Sequence, residues 1–134
     1  MLSFLKVSKH YNIDPEEVWN LIIELGSFSK VSLNLANRGI LNQKNSLPFT
    51  TFILQRAVWR WIVDNPDKAY EILKSKVPDL TEEYWEQFIV SKAYTVHITI
   101  NHSRERFENW LKERKLEKYL DYRKSRYFRQ RRNP

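Results

Sequence analysis

The chain has 134 residues, 42% of them hydrophobic and 14% aromatic, and Lys and Arg exceed Asp and Glu by seven. That length suits one domain, and the composition supports a real core. There is no cysteine and there are two glycines, which excludes a disulfide framework and a cysteine-based zinc site and argues against turn-rich all-β folds and against Rossmann or phosphate loops, whose turns need several glycines.

The punctuation is helical throughout. Leu2 to Val7 is apolar and predicts a short helical turn. The run MLSFLKVSKHY does not read as a signal peptide, and no stretch has the uncharged apolar length of a membrane span, so the cytosol is the expected compartment. Asp14-Pro15-Glu16-Glu17 predicts a helix start. Asp14 can cap, Pro15 fits the first helical position, and Glu17 has capping-box spacing. Gly26 ends that helix. A second helix is expected from Ser29 to Arg38, closed by Gly39, with a polar loop over 42–46. A third runs from near Pro48 to about Asp64. It is apolar nearly all round, so it should be central, and its exceptions Gln55, Arg56 and Arg60 share one narrow stripe. Of the neighbours Trp59 and Trp61, which point to different sides, Trp59 is expected to be the exposed one.

Asn65-Pro66-Asp67 opens a fourth helix to about Lys76, and Pro78 blocks its continuation. A fifth starts around Asp79 to Glu83 and carries Trp85, Phe88, Ile89, Ala93 and Val96. Its end, Thr95 to Ile100, alternates like a strand. It is read as helix, because a lone strand would have no partner. A sixth helix begins near Ser103 with Phe107, Trp110 and Leu111 on one face. Leu116, Tyr119 and Leu120 fall roughly on the opposite face, which predicts a bend between the two sets or a second contact surface. The expected fold is all-α, a compact bundle of five or six helices over residues 1–121 followed by a basic, aromatic-containing helix or tail over 122–134.

The charge is unevenly placed. Residues 1–102 hold eleven basic and eleven acidic groups, whereas residues 103–134 hold twelve and five. The tail contains Arg123, Lys124, Arg126, Arg129, Arg131 and Arg132, with Tyr122, Tyr127 and Phe128 interleaved and no acid. Arginine forks match phosphate oxygens, and interleaved rings can stack on bases. Such asymmetry points to a polyanionic partner, DNA or RNA backbone. Arg104, Arg106, Lys112, Arg114, Lys115 and Lys118 can extend the basic surface, Arg114 and Lys118 being the ones taken as candidate contacts. Arg56 and Arg60, one helical turn apart, can straddle a phosphate backbone, although an Arg60–Asp64 pair at i,i+4 is the plainer reading. The six basic residues between 104 and 118 are mixed with Glu105, Glu108, Glu113 and Glu117, so most of them read as ordinary helix-surface pairs.

No residues stand out for catalysis. His97, His102 and Glu105 match no established metal-ligand spacing, and Glu16/Glu17 and Glu82/Glu83 sit where helix starts favour acid. No nucleophile elbow or phosphate loop is present. The expectation is a non-enzyme without cofactor or metal. Two alternatives stay open: a helical adaptor docking on an acidic protein, and a helix-turn-helix regulator with Gly26 or Gly39 in an interhelical turn.

The aromatic-rich central helix LPFTTFILQRAVWRWIV and the basic end RKSRYFRQRR together resemble, in format, the small subunits of type I CRISPR surveillance complexes (Cascade). The resemblance lies in size, helical content and a basic face, and no single motif carries it. It implies a non-catalytic subunit of antiviral defence that works when assembled with other protein subunits. It further implies a role in holding target or displaced DNA strand.

Overall fold

The computed structural model describes residues 14–39 and 47–121, with 47–49 in backbone only. The expected turn at Leu2–Val7, the polar loop 42–46 and the tail 122–134 lie outside the described residues. All regular structure among the described residues is helical. It consists of α1 (Pro15–Leu25), α2 (Phe28–Asn37), α3 (Leu47–Asp64), α4 (Pro66–Lys76), α5 (Glu82–Tyr94), a π-helical segment (Thr95–Ile100), α6 (Arg104–Glu113) and a 3₁₀ turn (Glu117–Tyr119). The chain groups into two compact units, Met1–Glu82 and Glu83–Pro134.

In the first unit α1 and α3 each pack against the other three helices. The α1 start is made as its sequence dictates: Asp14 is extended, and its carboxylate accepts the Glu16 N–H at 3.0 Å. Ser27 likewise caps α2 by accepting the Lys30 N–H at 3.2 Å. Asn65 precedes Pro66 without a side-chain cap bond, and its amide instead donates to the Trp61 carbonyl at 3.0 Å. At the far end of α4, the Lys74 ammonium donates to the carbonyls of Pro78 and Leu80 at 2.7 and 2.6 Å. Those carbonyls belong to the turn that follows the helix, so the lysine ties that turn to the last turn of α4.

The core of this unit is the buried side of α3: Ile53, Leu54, Ala57, Val58, Ile62 and Val63. It meets Val18 and Trp19 of α1, Val31 and Leu35 of α2 and Ala69 of α4. Each of the larger chains contributes about 1.5–3 kcal/mol on burial. Two polar links tie helices across it. The Trp19 indole N–H donates to the Ala69 carbonyl at 3.1 Å, and the Thr51 hydroxyl donates to Ser32 Oγ at 2.8 Å. A buried indole needs such an acceptor.

The second unit buries Trp85, Ile89, Val90, Ala93, Tyr94 and Val96 from α5 and the π segment, and Phe107, Trp110 and Leu111 from α6. Tyr94 and Phe107 meet edge to face with centroids 5.6 Å apart. The alternating TVHITI run is helical, as expected, but widened. The Thr95 hydroxyl donates to the Ser91 carbonyl at 3.1 Å, an i−4 back-bond of the kind that bends helices. Past it, the Asn101 N–H reaches five residues back to Val96 O at 3.1 Å.

The expected break between Leu111 and Leu116 has a defined geometry. Lys115 adopts the left-handed conformation at φ +57°. The N–H of Leu116 bonds Leu111 O at 2.8 Å and that of Lys115 bonds Lys112 O at 3.2 Å. This is a Schellman closure made by a residue other than glycine. Gly26 closes α1 at φ +88°, where an added Cβ would touch nothing.

These two closures predict opposite effects. Gly26→Ala introduces left-handed strain alone and should cost about 1 kcal/mol, whereas Lys115→Gly removes it and should stabilise by up to about 1 kcal/mol. Urea unfolding midpoints at constant m-value measure both.

Candidate polyanion-binding surface

The outer face of α3 follows from its buried one. Positions four apart share a side of a helix, and Phe52, Arg56 and Arg60 follow one another along one side of α3. Phe52 is 49% exposed and Arg60 is exposed, while Arg56 is half-buried with its guanidinium 5.5 Å from the Phe52 ring centroid. The expected Arg60–Asp64 ion pair is not among those formed by the described residues. Neither tryptophan of the helix is exposed. Trp59 is half-buried and meets Phe28 edge to face at 5.2 Å, and Trp61 is also half-buried. The reason is the start of α2, which brings Phe28 against Trp59. Among the described side chains of this helix the exposed ring is therefore Phe52, one of those that make the helix read as apolar nearly all round.

Arg114 and Lys118 belong to the second unit, and both have partners there. The Arg114 guanidinium stacks 4.5 Å from the Trp110 ring centroid and donates to the Trp110 carbonyl at 3.3 Å. It also lies 3.5 Å from the Glu113 carboxylate. The Lys118 ammonium is 2.6 Å from Glu86 Oε1, the same oxygen that accepts the Tyr119 hydroxyl at 3.1 Å. Glu86 thus joins the 3₁₀ turn to α5. No local signal marks it, because Glu86 and Lys118 are too far apart in sequence for any helical spacing rule to reach. The hydrogen bond and the negative charge of Glu86 raise the Lys118 pKa above its ordinary 10.5. Burial, followed by the hydrogen bond to Glu86, raises that of Tyr119 above 10.0.

Arg104, Arg106, Lys112 and Lys115 are exposed, and the surface pairs expected with their glutamate neighbours do not form among the described residues. Residues 83–134 hold thirteen Lys and Arg against seven Asp and Glu, so the second unit carries nearly all of the net charge. Arg123, Lys124, Arg126, Tyr127, Arg129, Arg131 and Arg132 lie outside the described residues. Among the described residues no group of three His, Asp or Glu could hold a metal ion, and no helix is long and apolar enough to cross a membrane.

Lys118 and Tyr119 both bind their protons more tightly in the fold than in the unfolded chain. Their stabilising contribution is complete below about pH 10 and is lost as pH rises through the folded values. Thermal melts taken from about pH 8 to pH 11 should show a steeper alkaline fall in Tm for the native chain than for Glu86→Gln. Equal slopes would separate Glu86 from both shifts.

The chain matches no family model, no curated protein and no solved structure.

Proposed function

We propose that this protein is a non-catalytic, cytoplasmic nucleic-acid-binding subunit that holds the phosphate backbone without reading base sequence. The observation that carries the reading is the concentration of positive charge: six Lys and Arg and no acid over residues 122–134, at the end of a unit whose other residues, 83–121, balance seven basic groups with seven acidic ones. Phosphate contact by such a segment releases condensed counterions, which gives affinity without sequence preference. Arg104, Arg106, Lys112 and Lys115, exposed and unpaired within the described residues, add to the same field. Arg114 and Lys118 contribute less direct contact, since their donors are engaged at Trp110, Glu113 and Glu86. In this reading the format shared with Cascade small subunits corresponds to a role in strand holding within a larger assembly.

A second reading, a helical adaptor for an acidic protein, is favoured by the exposed apolar side chains Leu33, Phe52, Val77 and Tyr84. Of these, the rings of Phe52 and Tyr84 belong to the residue types enriched at protein contacts.

Mobility-shift titration of the full chain against a version ending at Asp121 tests the proposal. On duplex DNA the full chain should bind with a steep salt dependence, and removal of six cations should make the log–log slope shallower by up to about 5. An unchanged affinity and slope would sink the role of the tail. Absence of binding to any duplex or single strand near physiological salt would favour the adaptor.

A further inference from the structure

The exposed stripe of α3 has a composition that phosphate binding alone does not require. A single exposed phenylalanine means little by itself. Here the ring sits one turn from Arg56 and two turns from Arg60, with the Arg56 guanidinium beside it at 5.5 Å. From Phe52 to Arg60 the helix rises about 12 Å.

We infer that Phe52, Arg56 and Arg60 form a stacking platform for a single-stranded polynucleotide. The inference rests on the nucleic-acid reading above and adds the strand type and the site. In a duplex the base faces are covered by their neighbours, so an exposed ring gains nothing from them. An unpaired base offers a free face to Phe52, with the Arg56 charge beside the ring, and aromatic stacking of this kind tolerates any base. Arg60, exposed and carrying no ion pair with Asp64, is placed to take a phosphate of the same strand. Charge complementarity thus selects a polyanion, and the ring selects an unpaired one.

The test is fluorescence anisotropy on the full chain, using labelled oligothymidine, labelled oligouridine and a labelled duplex of equal length at one salt concentration. Phe52→Ala and Phe52→Leu should weaken binding to at least one single-stranded probe by roughly 5- to 150-fold, the equivalent of one stacked base at about 1–3 kcal/mol. Phe52→Trp should retain affinity. Duplex affinity and the salt slope should stay unchanged in all three variants. Comparison of the two single-stranded probes tells DNA from RNA. Thermal melts of Phe52→Leu and Phe52→Trp confirm an intact fold, as expected for a half-exposed side chain. Equal losses on single strand and duplex, or no loss in Phe52→Ala and Phe52→Leu, would overturn the platform while leaving backbone binding intact. So would an oligomer that dissociates on Phe52→Ala with single-strand affinity preserved, since the face would then belong to a second copy. A native chain that binds none of the three probes overturns the platform together with the reading beneath it.

Discussion

A helix of eighteen residues that buries one side must present the other. In the first unit that obligation falls on α3. Ile53, Leu54, Ala57, Val58, Ile62 and Val63 are taken up against α1, α2 and α4, and their transfer from water is the main stabilising term available to four short helices. The rotation of α3 about its axis is set by that burial and pinned by the Thr51–Ser32 hydrogen bond. Once the rotation is set, Phe52, Arg56 and Arg60 have only one direction in which to point. The candidate surface is thus a by-product of core packing, and any substitution that turns the helix would move core and surface together.

The basic side chains of the described residues differ in what they retain for an external partner. A guanidinium that already stacks on Trp110 and hydrogen bonds its carbonyl, or an ammonium already seated on a carboxylate, has fewer donors left for phosphate. The Lys118–Glu86 pair is surface-exposed on the lysine side and adds little stability. Its consequence is geometric: with the Tyr119 hydroxyl on the same carboxylate oxygen, the 3₁₀ turn is tied to α5 just before the chain enters its most basic stretch. Arg60, Arg104, Arg106, Lys112 and Lys115 carry no such commitment. Net charge counts all of these groups equally, and structure divides them.

Most of the fold was legible because its signals are local. Asp14-Pro15 and Gly26 bracket α1, Asn65-Pro66 and Pro78 bracket α4, and Ser103 opens α6 by accepting the Arg106 N–H at 3.1 Å. The switch of apolar face between Leu111 and Leu116 announced the Schellman closure at Lys115, although not that a lysine would occupy its left-handed position. The TVHITI run was readable as helix by the absence of a strand partner. Its widening was not, since that depends on where the Thr95 hydroxyl finds an acceptor. The candidate surface was less legible. Arg56 and Arg60 were visible as a polar stripe, but the ring accompanying them was assigned to Trp59, because a helical wheel places residues at angles without saying which angles are covered.

By itself, then, the sequence determined the helical class, the helix boundaries to within a residue or so, and the placing of the positive charge at the carboxyl end. Each of these is a property of near neighbours: capping, φ restriction at proline and glycine, 3.6-residue periodicity and composition. Tertiary structure alone decided that Phe28 shelters Trp59, that Phe52 stays open, and that Glu86 claims Lys118 and Tyr119. Those outcomes join residues that are close in space and distant along the chain, and the packing that brings them together is a many-body result that no local spacing rule encodes.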